Sequence, residues 1–184
     1  LTVDNGVSGG VGTAQDPYII EGWEISGPNE TCIVINQTWK FIIIRNLTLT
    51  RGNGSGAGIL LQDVSNCTIS DITTDMQGPC LVARRCSNLG VENVTSVGGP
   101  FTIEFSKNVV MLGLKFRPST EWGIMTPIWV VESEYVTVSL CDVISPMSSS
   151  TAILVQDSNW VEVDNNTITD SYRGIQLTAD EGTI

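Results

Sequence analysis

Apolar residues along this chain come in short runs of three to five, each bounded by Gly, Ser, Asn or Asp. Gly58-Ile59-Leu60-Leu61, Cys80-Leu81-Val82, Phe101-Thr102-Ile103, Ile128-Trp129-Val130-Val131 and Ala152-Ile153-Leu154-Val155 are one set. Residues alternate in places with period two, and no segment carries the 3.6-residue period of a helix. A second set follows each of these. It comprises Ser65-Asn66-Cys67-Thr68-Ile69, Ser87-Asn88-Leu89-Gly90-Val91, Ser106-Lys107-Asn108-Val109-Val110, Glu134-Tyr135-Val136-Thr137-Val138 and Ser158-Asn159-Trp160-Val161-Glu162. The anchors Asn66, Asn88, Asn108, Tyr135 and Asn159 are spaced by 22, 20, 27 and 24 residues.

Similar strands recurring at one spacing predict a solenoid. One such coil cannot bury its apolar face alone. Stacked coils place like residues about 4.8 Å apart, so inward Ile, Val and Leu form continuous columns. The expected fold is all-β, a right-handed parallel β-helix of about seven coils. An antiparallel sandwich also spaces short strands regularly, but has no reason to repeat the same residues. Asn66, Asn88, Asn108 and Asn159 are expected to stack at a turn, where Asn tolerates a left-handed backbone and its amide can bond the next Asn.

Gly12-Thr13-Ala14-Gln15-Asp16-Pro17-Tyr18-Ile19-Ile20-Glu21-Gly22-Trp23-Glu24-Ile25 resembles the opening of secreted, mostly archaeal, parallel β-helix repeat proteins grouped with the NosD-like, pectin-lyase-like families. The resemblance covers nearly the whole chain and is specific for fold, not for activity. It implies a first segment, 1–30, that opens and caps the stack, followed by coils over 31–184. Tyr18, Trp23 and Ile25 are the expected caps over the first coil, which would otherwise expose unpaired strand edge. Asp16-Pro17 fixes a turn before them. The coil that begins at Gly174 stops without a cap and reads as incomplete, to be covered by a neighbouring copy head to tail or by an added strand.

Composition narrows the partners. The formal charge is −11, with nine Lys and Arg against twenty Asp and Glu, which disfavours nucleic acid. No apolar run approaches the 18 residues of a membrane span. The chain opens on Leu1 and reads as trimmed, so it is expected outside the cell.

Candidate chemistry is sparse. His is absent, which removes His-assisted hydrolysis. The position three before each anchor holds Asp63, Arg85, Phe105, Glu132 and Gln156, and acids do not gather there. Asp71 with Asp75, or Glu132 with Glu134, are the nearest to a carboxylate pair, and no catalytic residue is assigned. The copper binding implied by the family resemblance lacks ligands, because Met76, Met111, Met125 and Met147 are scattered. No cofactor is expected; Ca²⁺ could use turn carboxylates such as Asp63 or Asp164, but no calcium motif is present. Five cysteines have no CxxC pair and read as buried thiols, with one or two disulfides, Cys80–Cys86 or a bridge between neighbouring coils, as the alternative. Trp39 and Trp160 fall beside the anchor turn.

Seven Asn-x-Ser/Thr sequons stand at Asn29, Asn36, Asn46, Asn53, Asn66, Asn93 and Asn165, against roughly two expected by chance. N-glycans are expected at several, least at Asn66 because of its place in the ladder. Together these features predict a non-catalytic extracellular structural glycoprotein that assembles with copies of itself into a filament or surface layer. A polysaccharide-binding module or uronate lyase, and an adhesin domain, are the alternatives.

Overall fold

The computed structural model describes residues 2, 6–27, 30–51, 55–119, 126–145 and 150–179. Asn29, Asn53, Trp122, Met125, Met147 and the last five residues lie outside that set. The strands, in chain order, are β1 (Tyr18–Glu21), β2 (Glu24–Gly27), β3 (Ile33–Thr38), β4 (Ile42–Arg51), β5 (Ile59–Asp75) and β6 (Leu81–Arg84). They continue as β7 (Ser87–Val97), β8 (Phe101–Glu104), β9 (Lys107–Leu112), β10 (Lys115–Arg117), β11 (Ile128–Val131) and β12 (Glu134–Ser139). The last are β13 (Asp142–Ile144), β14 (Thr151–Gln156), β15 (Asn159–Asp164), β16 (Thr167–Thr169) and β17 (Arg173–Thr178).

All pairings between these strands are parallel, and each joins segments about one coil apart. The result is an all-β parallel solenoid with three walls. Wall 1 stacks β1, the first half of β4, the middle of β5, and then β7, β9, β12 and β15. Its register runs Tyr18, Ile42, Cys67, Leu89, Val109, Val136, Val161, which is six full turns through seven layers. Wall 2 stacks β2, the ends of β4, β5 and β7, and then β10, β13 and β16. Wall 3 stacks β3, the start of β5, β6, β8, β11, β14 and β17.

Inward columns build the core. On wall 3, Ile33, Ile59, Leu81, Phe101, Ile128 and Ile153 stack in register, and so do Ile35, Leu61, Ala83, Ile103, Val130 and Val155. All are buried and belong to one cluster with Ile44, Leu49, Val91, Val138 and Val143. Each such side chain removes apolar area from water, worth about 1.5–3 kcal/mol when fully buried. Uneven anchor spacing arises mainly between walls 2 and 3. That connection takes three residues, 98–100, after β7, and ten, 118–127, after β10.

Two expectations about the N-terminal end change. The first coil begins at Tyr18 rather than Thr31, because β1 and β2 already pair with β4. The cap is also different. Ser8 donates its N–H to Ile19 O at 2.7 Å, and Ile19 donates to Gly9 O at 2.9 Å, an antiparallel bridge on the outer edge of β1. Val7 beside it is buried in the core. Gly10 has φ 88°, and a Cβ there would sit 1.7 Å from Pro17 O, so only glycine lets this segment cross the strand. Tyr18 and Ile25 pack against the core as members of coil one, while Trp23 is half exposed at the rim of an open apolar depression of about 350 Å³. The Asp16-Pro17 turn forms as expected, with Val11, Gly12 and Thr13 all donating to Asp16 O.

Candidate functional site

Chemistry on a solenoid has to come from its corners and outer wall faces. Three columns of residues have positive φ. Wall 1 meets wall 2 at Asn46, Asp71, Asn93, Gly113, Leu140 and Asn165. Wall 3 meets wall 1 through two columns, Gln37, Asp63, Arg85, Phe105, Glu132 and Asp157, then Asn66, Asn88, Asn108, Tyr135 and Trp160. Asn and Asp suit this left-handed conformation; Phe105, Tyr135, Leu140 and Trp160 do not, and for L-residues it costs about 1–2 kcal/mol each. Parallel ladders on both sides of the corner fix the backbone there, whatever side chain it carries.

The asparagine ladder forms over three coils. Asn88 Nδ2 donates to Asn66 Oδ1 at 3.0 Å, Asn108 Nδ2 to Asn88 Oδ1 at 3.1 Å, and Asn66 Nδ2 to Trp39 O at 3.1 Å. Asn159 is not a rung. It pairs with Glu134, one residue before the column, and Trp160 occupies the ladder position. The Ser-Asn dipeptide at 158–159 imitates Ser65-Asn66, but Ser158 points inward, which shifts the register by one. For the same reason the member of the preceding column is Asp157, not Gln156. From Tyr135 on, the ladder is aromatic: the Tyr135 and Trp160 rings lie parallel within 3°, centroids 6.2 Å apart. Lys107 Nζ sits 5.3 Å from the Tyr135 ring centroid and 3.1 Å from Glu134 Oε2. Phe105, Tyr135 and Trp160 are all exposed.

Behind this corner runs a ladder that composition did not reveal. Ser106, Ser133 and Ser158 each donate Oγ–H to the carbonyl two residues back, at 2.8 Å. Each accepts the N–H of Cys86, Ser106 or Ser133 in the coil before, at 3.0 Å. The recurrence of Ser at 106, 133 and 158 was the available signal.

The described ion pairs all join neighbouring coils: Glu21–Arg45, Asp63–Arg85, Arg84–Glu104, Lys107–Glu134 and Arg117–Asp142. Arg85 grips Asp63 with two nitrogens, at 2.7 and 2.9 Å, and holds its carboxyl below the usual range. Glu134 is likewise paired, and Asp164 accepts Asn165 Nδ2 at 2.6 Å. Asp71 and Asp75 are four residues apart along β5, about 13 Å at strand rise. The suggested carboxylate pairs therefore do not assemble, and among the described residues no three His, Cys, Asp or Glu side chains come together.

The Cys80–Cys86 disulfide does not form; both residues are buried thiols. β6 lies between Cys80 and Cys86 and holds them at opposite ends of a strand about 13 Å long, whereas bridged Cα atoms lie within about 7 Å. Cys67, Cys80, Cys86 and Cys141 are buried. Burial pushes the Cys80 thiol up to about 12 and that of Cys141 up to about 11.

The sequons have a structural source as well. Asn46-Leu47-Thr48, Asn93-Val94-Thr95 and Asn165-Asn166-Thr167 each place Asn at the positive-φ corner and Thr outward on wall 2. Asn36, Asn46, Asn93 and Asn165 are exposed, while Asn66 is half-buried with both amide ends engaged.

Wall 3 carries an outer face of another kind. Its outward columns read Val34, Leu60, Val82, Thr102, Trp129, Leu154, Gln176, and beside them Asn36, Gln62, Arg84, Glu104, Val131, Gln156, Thr178. Trp129 is 37% and Val34 52% exposed.

Comparison with known proteins agrees with the architecture. The family described as "Right handed beta helix region" matches residues 20–184. A search of curated proteins finds no match. Among solved structures, the fold is similar to that of a protein from Parabacteroides merdae described as a "putative glycosyl hydrolase". The TM-score is 0.53 at 11% identity, over 90% of this chain and 82% of that one, a likeness of fold alone. Among the described residues no helix is long and apolar enough to cross a membrane.

Proposed function

Because the chain belongs to the right-handed β-helix family, we propose that it is a non-catalytic, extracellular structural module that assembles with copies of itself. The observation that carries this reading is the use made of charge. Five acid–base pairs each tie one coil to the next. Asp63, gripped by Arg85, is stabilised as an anion and is poorly placed to act as a general acid. The inner Ser and outer Asn ladders serve the same end, a stiff stack of coils. Electron microscopy and sedimentation at physiological salt test the reading; a dispersed monomer at all concentrations refutes it.

Glycans on the walls belong to the same proposal. Asn36, Asn46, Asn93 and Asn165 are the expected acceptors because they are exposed, and Asn66 stays bare because it is half-buried with both ends of its amide engaged in the ladder. Glycopeptide mapping of the protein from its native source checks this, and unmodified peptides at all four positions would overturn it.

A second reading, a polysaccharide-binding or polysaccharide-cleaving module, is favoured by the exposed parallel Tyr135–Trp160 pair. Flat aromatic surface of that kind suits the apolar face of a sugar ring. The glycosyl hydrolase description of the Parabacteroides merdae protein is compatible with it. Screening uronate and neutral polymers with and without Ca²⁺, for binding and for chain cleavage, separates the two readings.

A further inference from the structure

Near the N-terminal end of wall 1 the outer face is hollow. An open cleft of about 300 Å³ lies where the Asp16-Pro17 turn meets the asparagine ladder, lined by Pro17, Phe41, Ile43, Asn66, Thr68 and Asn88 among others. The turn fixes one side. Phe41 donates its N–H to Gly12 O at 3.2 Å and accepts the Tyr18 N–H at 2.9 Å, so the backbone that carries its ring is tied on both sides. The ladder supplies the other side. A side-chain amide has two N–H groups and two lone pairs on its oxygen. Asn66 spends one N–H on Trp39 O and one lone pair on Asn88, and Asn88 spends one N–H on Asn66 and one lone pair on Asn108. Among the described contacts each amide therefore keeps one N–H and one lone pair, one coil apart. Thr68, on the outward column of wall 1, adds an exposed hydroxyl.

Glycine at position 90 is a second, independent observation. It follows Thr68 in the outward column, and Val110 follows it. A Cβ there would meet nothing nearer than Thr68 at 3.9 Å, and its φ lies outside the left-handed region. Neither packing nor backbone demands glycine, although glycine weakens a strand interior and often marks a place where a ligand comes close. Its missing side chain leaves the cleft open towards the next coil, beside Asn88.

We infer that this cleft binds one neutral sugar ring, the end residue of a glycan. The inference deepens the second reading above and puts sugar recognition at the opposite end of the corner column from Tyr135 and Trp160. The chain carries −11, yet no charged side chain lines the cleft, so it offers no partner to an anion or a cation. Its volume stands at the lower end of the ~300–1,000 Å³ of small-molecule sites, room for a single ring. Two amides and a hydroxyl set against the apolar surfaces of Pro17, Phe41 and Ile43 match a ring with hydroxyls around its rim and C–H groups on its face. An extended peptide fits worse. The strands here are paired with the coils on both sides and offer no edge for main-chain bonds.

NMR titration of the isotope-labelled full chain tests the inference, with the methyl glycosides of glucose, galactose, mannose and N-acetylglucosamine as probes and galacturonate as the charged control. The side-chain amide signals of Asn66 and Asn88 are expected to move with at least one neutral glycoside and to stay in place with galacturonate. Phe41→Ala should weaken binding roughly fivefold. Gly90→Val is the sharper variant. Valine suits a strand and continues the column of Val110, so stability should hold or rise while the cleft is closed and binding is lost. Unaltered melting profiles show that both variants fold. A sugar bound as tightly by both variants as by the wild type overturns the inference. Binding abolished by Trp160→Ala but by neither of these substitutions gives the sugar to the aromatic pair, and the second reading then stands without this site. Galacturonate that moves the same amides as strongly as the neutral glycosides overturns the neutral preference on which the inference rests. No movement with any glycoside overturns the inference, and failure to bind any polymer as well overturns the second reading with it.

Discussion

Replacing Asn88 measures what the corner ladder contributes. Asn88 sits at φ 53°, donates to Asn66 and accepts from Asn108. Asn88→Ala removes both amide bonds; the site is exposed, so each counts near the low end of the ~0.5–1.5 kcal/mol range. It also forces an L-residue without Asn's tolerance into the left-handed region, at about 1 kcal/mol more. The expected loss is about 2–3 kcal/mol. Asn88→Gly loses the same bonds but keeps the conformation, so it should fall between Ala and wild type. For a domain of this size the Ala variant corresponds to a drop in Tm of roughly 4 to 12 °C. Solenoid stability is a sum over coils and their interfaces, so the damage is local first. Amide exchange near Leu89 and Val109 should quicken before that near Ile44 or Val138. Denaturant unfolding and amide exchange on the three proteins make the comparison. A Gly variant no more stable than the Ala variant would refute the backbone argument. Both within about 0.5 kcal/mol of wild type would refute the ladder's contribution altogether.

Three further outcomes follow from the interior and the ion pairs. The Thr74 hydroxyl is buried with no partner better than the neighbouring Cys80 thiol, a weak acceptor, so Thr74→Val should stabilise the protein by about 1 kcal/mol in chemical unfolding. The raised Cys80 thiol predicts an alkaline loss of stability. An unfolded thiol ionises near 9.0 and the folded one only near 12, so stability is whole below about pH 9 and falls as pH rises towards 12. Cys80→Ala should flatten that decline by about 1.4 kcal/mol per pH unit, read from denaturation midpoints between the two values. Asp63 titrated by NMR should ionise below 3.8, and Arg85→Gln should move it back up; an unchanged value would mean that the two-nitrogen grip of Arg85 on Asp63 does not persist in solution.

Much of the fold was legible because a solenoid writes its period into the chain. Strands, inward columns and the Asn66–Asn88–Asn108 rungs could be read from recurrence. Asn159 resembles a rung because the local dipeptide Ser158-Asn159 masks the alternation of Val161 and Val163 that sets the register. Tyr18, Trp23 and Ile25 read as a separate cap in the sequence, although Tyr18 and Ile25 pack as ordinary members of coil one. The candidate sites were less legible, since a sequon such as Asn93-Val94-Thr95 reads alike whether a glycan or a corner requires it.

The sequence by itself determined that this chain is an all-β stack of coils with an apolar interior, since period-two strands repeated at coil length can bury their faces only against one another. It also limited the chemistry, through the absence of His and the excess of acid. Tertiary structure alone decided which acids meet which bases, that Cys80 and Cys86 stay unbridged, and that Val34, Leu60, Val82, Trp129 and Leu154 share one outward column. The ion pairs and the column join residues twenty or more positions apart. They depend on how each variable connection, three residues or ten, returns the chain to register, and that is settled by the packing of the whole coil.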